Sequence, residues 1–445
     1  MGLRVSFTPP RMSDVSPPAA GPGSASQPSA SGGFPPVKKS EIFGWCCFDF
    51  ANSAFTTIII TVVYAVYFAK VVAEGDPSAE GWWGTALSAS QVVVIVLSPL
   101  VGALADVTAR KKSALMLTAF GCSIATASLY FVGPGEVALA LGLVILANIG
   151  FSLSENICAA FLPEISTAEN VGRISGYGWS FGYFGGLFSL ILALVIIQSG
   201  DGRAPWTFLM TGVFFFGASL PTLLLLRERA RPVALRPGET VTGRAFGQMR
   251  RMLDELPQHR TLAVFFVAMT FYMAGLMAVV GFAALYATAV VGMTQDEIIK
   301  LFIVLQLAGV AGAFGFGYLQ DRASAKLALV LSLLLWVGVC LWAALSQSKA
   351  EFYGVGALAG VAMGALQSSG RALVSTLTPP GRAGEFFGYW GFFGKLAGVI
   401  GPVTYGWLIT HIGYRWGIVA VGGFFLTGLL ILLPLRIRPR SLPVA

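Results

Sequence analysis

The sequence predicts an all-α membrane protein whose twelve transmembrane helices form two pseudo-symmetric six-helix halves. Three observations support this fold class: the composition, a series of long apolar stretches, and a set of motifs that occurs twice. Apolar residues make up 56% of the 445 residues and charged residues only 11%. Because a soluble domain carries about 25% charged residues to cover its surface, this chain has too little charge to face water on all sides.

The apolar stretches give the number of helices, since a bilayer core requires about 20 apolar residues per helix. The predicted spans are 44–73, 83–106, 113–132, 137–160, 175–199, 206–226, 261–291, 297–319, 327–346, 352–376, 384–409 and 415–435. An even number of spans places both termini on the same side of the membrane.

The distribution of positive charge indicates which side that is. Of the 29 lysines and arginines, 22 lie in the termini and in the loops on their side, and five lie in the opposite loops. Positive charge marks the cytoplasmic side, so we expect both termini in the cytoplasm, and the plasma (inner) membrane as the location of a bacterial protein. The net charge of +8 is therefore interpreted as a topology signal with added contact to anionic lipid, and no nucleic-acid partner is expected.

The chain divides into five predicted segments. They are a disordered Pro/Ser/Ala-rich cytoplasmic tail at 1–40, an N-terminal six-helix half at 41–226, a cytoplasmic linker at 227–260, a C-terminal six-helix half at 261–437 and a cytoplasmic tail at 438–445. In the linker, Phe246, Met249, Leu253 and Leu256 occur at helical spacing with arginines between them. Two interpretations fit this pattern: an amphipathic helix on the membrane surface, or a connector helix with a solvated basic face.

Two motifs occur once in each half. A Gly-x-x-x-Asp motif followed by basic residues ends at Asp106 between spans 2 and 3, and again at Asp321 between spans 8 and 9. A Gly-Arg pair preceded by a proline ends at Arg173 after span 4 and at Arg382 after span 10. The copies are about 210–216 residues apart and occur in the same order. This recurrence indicates a duplicated six-helix unit, an architecture of transporters whose site lies between the repeats.

The paired loops are predicted to form a gate on the cytoplasmic side. An Asp at the end of one helix can cap the start of the next helix and pair with the basic residues that follow it. Such a clamp in both loops holds a gate closed; the alternative is a static helix cap beside topology-determining charge. The predicted gating residues are Asp106, Arg110, Lys111, Arg173, Asp321, Arg322, Arg382 and Glu385.

More specific stretches carry a family resemblance. They are Asp49-Phe-Ala-Asn52-Ser53-Ala-Phe55 in span 1, Phe161-Leu-Pro163-Glu164 after span 4, and Gly381-Arg382-Ala-Gly-Glu385-Phe386-Phe387-Gly388 at span 11. With the paired loops, they resemble the major facilitator superfamily over about 41–437, and within it the branch of the autophagy-related vacuolar effluxers of fungi and many bacterial transporters. Two positions depart from the family pattern: Val107 replaces an Arg, and Phe50 replaces a Trp.

This resemblance implies the major facilitator fold and secondary transport by alternating access between two halves. Fungal members of the branch resemble amino-acid exporters of the vacuole, so the resemblance implies amino-acid efflux. Bacterial members do not share one established substrate.

Polar residues inside span 1 are candidates for the transport site, because an ionisable group within a membrane is expensive and usually functional. Asp49 lies in the first third of the span, and Asn52, Ser53, Thr56 and Thr57 follow it on one helical face. This stripe is interpreted as the wall of a water-filled cavity, with Asp49 as the proton or cation carrier. The alternative is hydrogen bonding between helices.

Spans 4 and 10 carry further candidates. Asn148, Glu155 and Asn156 share one face of span 4, and Gln367 and Arg371 are one turn apart in span 10. Aligning the two halves places Glu155 on the position of Arg371. Three interpretations are open: the two charges pair across the interface, each binds one end of a zwitterion, or each is neutralised within its own half.

Lys395 is the remaining charge within a span. It lies eleven residues into span 11, which is about 16 Å at 1.5 Å per residue and too deep to reach the membrane surface easily. It can attract a carboxylate or phosphate, titrate against Asp49 or Glu155, or serve as the structural partner of one of those acids.

These features favour a secondary transporter of a small polar solute, with amino-acid efflux and proton coupling as the specific expectations. The alternative is a membrane receptor or scaffold that has the fold but does not transport. The sequence contains no H-E-x-x-H and no Walker A motif, so we expect no enzyme activity, no cofactor and no ATP hydrolysis. Two histidines are too few for a multi-histidine metal site, and a monomer is the default for this architecture.

Overall fold

The computed structural model describes residues 36–200, 202–229, 240–244, 246–247, 250, 260–379 and 381–435. Most of the predicted N-terminal tail, the predicted C-terminal tail and most of the linker lie outside these residues. Of the four apolar residues predicted to form a linker helix, only Phe246 is described, and its side chain is exposed. Both interpretations of the linker therefore stay predictions.

Twelve long helices make up most of the described chain. The first half contains α1 Lys39–Val72, α2 Ala79–Thr108, α3 Lys111–Ser128, α4 Val137–Ala159, α5 Val171–Gln198 and α6 Ala204–Leu225. The second half contains α7 Arg260–Val291, α8 Gln295–Arg322, α9 Ala325–Leu345, α10 Lys349–Leu377, α11 Ala383–Ile409 and α12 His411–Leu432. We call the side where α1 begins and α12 ends the terminal side, and the opposite side the distal side.

The helix α10 is more polar than its neighbours. Eleven helices are long and apolar enough to cross a membrane, and α10, with 29 residues, is the long helix outside that set. It carries Gln367 and Arg371, and its residues from Ser368 to Ser375 are all buried. Because this stretch packs against protein, Arg371 finds its partners within the bundle, whereas the hydroxyls of Ser368 and Ser369 are buried without a hydrogen-bond partner among the described residues. The predicted twelve-helix fold in two halves is confirmed.

Two places depart from regular α-helical geometry. In α1, the segments Phe55–Val62 and Phe68–Val72 are π-helical, a form that is rare and often found at functional sites. The first of them overlaps the polar stripe that begins at Asp49. Close to the junction of α11 and α12, Gly413 in the first turn of α12 has a φ of 78°, which lies in the left-handed region that glycine adopts without strain.

Each half has its own apolar core. In the first half, Phe48 of α1 packs edge-on against Phe215 of α6 with ring centroids 5.8 Å apart. In the second half, Trp336 of α9 stacks on Phe425 of α12 with centroids 4.9 Å apart. Because each core is built almost entirely from its own six helices, the halves are suited to move as separate bodies.

The two halves contact each other mainly through α2 against α11 and α5 against α8. Glycines permit the close approach. A Cβ atom on Gly102 of α2 would lie 2.0 Å from the carbonyl oxygen of Gly384 in α11, and one on Gly176 of α5 would lie 2.5 Å from the carbonyl oxygen of Ala313 in α8. A larger residue at either position forces the backbones apart.

The hydrogen bonds between the halves lie toward the terminal side. In α5, the residues that bond to the second half run from Gly172 to Tyr183, all in the part of the helix nearer its terminal-side start. In α2, such bonds come from Ser98 and Asp106, near the end of the helix. We find no hydrogen bond between the halves on the distal side within the described ranges. The bundle is therefore closed on the terminal side.

Candidate functional site

Asp49 and Arg371, which belong to different halves, form a buried ion pair. Arg371 donates from Nη1 to Asp49 Oδ2 at 2.6 Å, from Nη2 to the Ser175 carbonyl oxygen at 2.9 Å and from Nε to Ser175 Oγ at 3.3 Å. Arg371 is 3% exposed and Asp49 7%. Removing one partner of such a pair leaves an uncompensated charge inside the bundle, which costs about 3–5 kcal/mol.

This pairing corrects two of the interpretations that the sequence left open. Arg371 contacts Asp49 of α1 instead of Glu155, so a Glu155–Arg371 pair across the interface is wrong. Neutralisation within a single half is also wrong for Arg371, because its acid lies in the other half. The alignment of the two repeats relates equivalent positions, but equivalence under a pseudo-twofold axis does not require that the two side chains touch.

Two tryptophans enclose the Arg371 guanidinium, and neither was predicted as a site residue. The guanidinium carbon lies 4.6 Å from the Trp45 ring centroid and 5.0 Å from that of Trp179. Such cation–π contacts are worth about 0.5–2 kcal/mol each. The close fit depends on Gly178, where a Cβ would lie 2.4 Å from Asp49 Oδ2. A signal was present, because Trp45 precedes Asp49 by one helical turn.

The same stretch of α5 reads Gly178-Trp179-Ser180-Phe181-Gly182, which matches the G-x-S-x-G pattern of many hydrolases. That chemistry requires a sharp strand-to-helix turn that exposes the serine. Ser180 instead lies inside a continuous helix, where its Oγ donates to the Val310 carbonyl oxygen at 3.3 Å. The match is therefore a packing segment between the halves. Among the described residues, no group of three or more His, Cys, Asp or Glu side chains could hold a metal ion.

Glu155 and Lys395 form a second, looser pair between the halves. Lys395 Nζ of α11 lies 4.0 Å from Glu155 Oε2 of α4, and their side chains are 18% and 24% exposed. The ammonium group also lies 5.8 Å from the centroid of the Phe151 ring. Lys395 thus has an acid partner, as one interpretation of the sequence proposed, and that acid belongs to the other half.

The uncharged candidates on α1 and α4 mostly bond to nearby helices. Ser53 Oγ donates to the carbonyl oxygen of Asp49 at 2.8 Å, within its own helix. Asn148 and Asn156 donate to Ser90 Oγ and Ser98 Oγ of α2, both at 2.6 Å. The polar face of α4 thus holds α4 against α2, which is the hydrogen-bonding role that the sequence left as an alternative for span 1.

Two further candidates differ in their surroundings. Asn52 is buried on the same face of α1 as Asp49. Gln367 of α10 accepts a hydrogen bond at Oε1 from the Tyr183 hydroxyl of α5 at 2.6 Å, and so joins the two halves. Gln367 lies one turn before Arg371, so this bond extends the contact between α10 and α5 toward the middle of the bundle.

The first loop aspartate caps a helix of the opposite half. Asp106 Oδ1 accepts from the Gly384 amide and Oδ2 from the Glu385 amide, both at 2.9 Å, at the start of α11. Its carboxylate also lies 3.2 Å from Lys111 Nζ, and Lys111 in turn contacts Glu164. The prediction that Asp106 pairs with a following basic residue is therefore confirmed. The prediction that it caps the next helix, α3, is wrong.

The second loop aspartate makes the equivalent contact in the opposite direction. Asp321 of α8 accepts from the amides of Gly172 at 2.8 Å and Arg173 at 3.1 Å, at the start of α5. It also pairs with Arg173 Nε at 2.8 Å. A carboxylate is favourable at a helix N-terminus because the free amides and the helix dipole are positive there. Each half therefore caps one helix of the other half.

The remaining predicted gating residues fall into two groups. Arg382 pairs with Glu385 at 2.9 Å within the first turn of α11, beside the cap from Asp106. Arg110 and Arg322 are exposed, and neither makes an ion pair in the described part of the chain. The predicted pairing of Asp321 with Arg322 is thus wrong, because the start of α5 approaches Asp321 and its Arg173 takes that place.

The family model described as "Vacuole effluxer Atg22 like" matches residues 84–439. A Bacillus subtilis (strain 168) protein described as an uncharacterized MFS-type transporter, YxiO, is 23% identical over 371 residues, which cover 81% of this chain and 86% of the relative. Autophagy-related protein 22-1 of Penicillium rubens is 26% identical over 54% of this chain and 45% of its own length. The chain spans about half the length of most of the fungal relatives it matches.

Solved structures show the same fold. The human organic anion transporter MFSD10 superposes with a TM-score of 0.71 at 16% identity, covering 89% of this chain and all of that one. A bacterial homologue of the iron transporter ferroportin in an outward-facing state gives a TM-score of 0.69 at 14% identity, covering 89% and 98% of the two chains. The proton:xylose symporter XylE gives 0.68 at 15% identity, covering 89% and 95%.

Proposed function

The chain belongs to the Atg22-like vacuole effluxer family and is a multi-pass MFS-type transporter, and we propose that it exports amino acids by proton-coupled alternating access. The observation that supports this mechanism best is the position of the contacts between the halves. Two caps and the buried Asp49–Arg371 pair lie on the terminal side, and the looser Glu155–Lys395 pair lies near the middle of the bundle. A bundle bonded on one side only has the form of one end state of an alternating-access cycle.

The proposed cycle opens the terminal side by breaking these contacts together. Asp106 must leave the start of α11, Asp321 must leave the start of α5, and Arg371 must leave Asp49. All of these bonds join helices of opposite halves, so a rigid rocking of the halves breaks them without unfolding either core. The polar groups released on the terminal side then meet water.

We assign the terminal side to the cytoplasm. The support is the charge distribution, with 22 of the 29 lysines and arginines on that side. With this orientation the structure faces outward, and export requires return to an inward-open state that accepts solute from the cytoplasm. In a bacterial cell, the location is the plasma (inner) membrane, and the working unit is a monomer because the two halves of one chain form the whole site.

Asp49 is the proposed site of proton coupling. It is the acid of the most buried cross-half pair, and its carboxylate accepts a 2.6 Å bond from Arg371. A proton on Asp49 removes the negative charge that holds Arg371 and so weakens the closed terminal side. Protons that enter from outside through the open distal side can thereby drive the change of state.

The proposed substrate class combines the family description with the charges near the middle of the bundle. The family is described as vacuole effluxers, which supports export. Amino acids carry both charges at neutral pH, and the site offers Glu155 and Lys395 of opposite sign. Solved structures with this fold include transporters of organic anions and xylose, so the fold alone does not select the solute.

Proteoliposomes containing the purified protein test the proposal. Vesicles are loaded with a mixture of labelled amino acids, a pH gradient of either direction is imposed, and efflux is compared between the wild type and Asp49→Asn. The proposal predicts efflux that responds to the gradient and loses this response in Asp49→Asn. If no amino acid leaves the vesicles, while control vesicles without solute remain sealed, the proposed substrate class is contradicted.

A further inference from the structure

The two charge pairs that join the halves differ in how many of their polar atoms make hydrogen bonds. The Arg371 guanidinium makes hydrogen bonds to Asp49 and Ser175 and lies between two indole rings. The side chain of Arg371 is 4% exposed and that of Asp49 is 10%. Both groups are nearly enclosed in this state: the guanidinium has no free face, and Asp49 keeps only Oδ1 without a hydrogen bond to a described residue.

The Glu155–Lys395 pair has unused bonding capacity. Its 4.0 Å separation is longer than a hydrogen bond, and neither side chain makes a hydrogen bond with another described residue. An ammonium has three donor hydrogens, and a carboxylate has about four acceptor positions. Both side chains are also more exposed than those of the first pair, at 18% and 24%. Both charged side chains therefore keep accessible surface that a ligand could reach.

The surroundings of this pair leave room for a ligand. One turn before Glu155 in α4 lies Phe151, whose ring stacks on that of Phe55 with centroids 5.2 Å apart and forms an apolar wall 5.8 Å from the Lys395 ammonium. On the Lys395 helix, a Cβ added at Gly398 would meet no atom within 4 Å, so the space next to that turn of α11 is open. Two opposite charges beside an apolar wall suit a small zwitterion that has an apolar side chain.

We propose that Glu155 and Lys395 recognise the substrate, with the ammonium group of a zwitterion at Glu155 and its carboxylate at Lys395, whereas Asp49 and Arg371 form a lock that does not contact it. This inference rests on the proposed amino-acid transport and assigns the recognition step to particular atoms. A solute that bridges the pair replaces one long contact by two hydrogen-bonded ones. Because the two side chains belong to α4 and α11, the bound solute also joins the halves.

Exchange assays with three related solutes test this assignment. Three unlabelled solutes are compared as competitors of labelled valine exchange in proteoliposomes. They are valine, isobutylamine, which lacks the carboxylate, and 3-methylbutanoate, which lacks the ammonium. In the wild type, valine should compete best. In Glu155→Gln, the KM for valine should rise about 10- to 100-fold, as expected for loss of a hydrogen bond to a charged group, while inhibition by 3-methylbutanoate stays unchanged.

The complementary variant and a control complete the test. Lys395→Gln should raise the KM for valine by the same factor but leave inhibition by isobutylamine unchanged. Asp49→Asn is the matched control, since it removes the same kind of charge from the other pair and should leave the order of the three solutes as in the wild type. If Glu155 and Lys395 served only in folding, their substitution would weaken the binding of all three solutes together and would not give these opposite selectivities.

The outcomes separate this inference from the proposed function. Wild-type protein that exchanges no amino acid refutes the substrate class, and the inference with it. Wild-type protein that exchanges valine, while Glu155→Gln and Lys395→Gln keep the wild-type order of solutes, refutes only the assignment. A change in that order in Asp49→Asn as large as in Glu155→Gln also refutes it, because the first pair would then contact the solute.

Discussion

Replacing Asp106 by asparagine tests the cross-half caps most sharply. Asparagine keeps the size of the side chain and one acceptor oxygen, but it loses the charge and the second acceptor. Asp106 now accepts from the amides of Gly384 and Glu385 at 2.9 Å each and contacts Lys111 at 3.2 Å. Lys111 keeps Glu164 as a partner, so the variant does not leave it with no acid nearby.

The magnitude follows from the bonds that are lost. One hydrogen bond to a charged group contributes about 1.5–3 kcal/mol, and a charge at a helix N-terminus contributes about 0.3–1 kcal/mol more. The closed terminal side should therefore lose about 2–4 kcal/mol. At 1.4 kcal/mol per tenfold, this is an increase of about 30- to 700-fold in the population in which the start of α11 is free.

Hydrogen–deuterium exchange measures this population directly. In Asp106→Asn, exchange of the Gly384 and Glu385 amides should accelerate by a factor in that range, and exchange at the start of α5 should accelerate less, because Asp321 still caps that helix and its amides are freed only when the halves separate as a whole. Asp321→Asn is the matched control and should accelerate Gly172 and Arg173 more than Gly384 and Glu385. Unchanged exchange at the start of α11, or acceleration at the start of α3, would refute the conclusion that Asp106 caps a helix of the other half.

Three further predictions follow from the packing. Gly178→Ala should open the terminal side, because the added Cβ would lie 2.4 Å from Asp49 Oδ2. The effect is measured as the accessibility of cysteine thiols on the terminal side to a thiol reagent, and an unchanged accessibility would contradict the prediction. Arg371→Lys should open it as well, because a lysine cannot bond Asp49 and Ser175 in the planar arrangement of a guanidinium, and an accessibility equal to that of the wild type would speak against this. Gly312→Ala should lower the melting temperature, because its Cβ would lie 2.2 Å from the Val361 carbonyl oxygen and such overpacking costs about 1–3 kcal/mol. Gly315→Ala in the same helix has open space and should not lower it, so an equal loss in both variants would contradict the packing.

The fold could be predicted from the sequence because its main determinants are local. Long apolar stretches give the helices, and the repeated loop motifs give the two halves. The helix α10 was predicted as the apolar stretch 352–376, although it is less apolar than the eleven helices whose hydropathy suffices to cross a membrane. Its Arg371 and Gln367 mark a helix that packs on other helices, and only the structure shows the partners that compensate those side chains.

The candidate site was predictable in its residues but only partly in its contacts. Asp49, Glu155, Arg371 and Lys395 stand out because charge is rare in membrane spans. Their pairing depends on how the halves are rotated against each other, which a single sequence does not encode in any local pattern. The prediction of the capped helices was wrong for the same reason: the helix that comes next in the chain is not the helix that lies nearest in space. Trp45 and Trp179 were missed because indole rings in an apolar helix look like core side chains, and only the spacing of Trp45 from Asp49, one helical turn, marked it as a neighbour of the site.

The central claim is that the two halves rock between a state closed on the terminal side and one closed on the distal side. Pulsed electron paramagnetic resonance distances test it directly, with spin labels on Arg110→Cys and Arg322→Cys for the terminal side and on Ser78→Cys and Gln347→Cys for the distal side. All four positions are exposed, and the five native cysteines are buried. Lowering the pH, or substituting Asp49→Asn, should lengthen the terminal-side distance and shorten the distal-side distance together. Distances that stay fixed on both sides, or that change on one side only, would contradict alternating access.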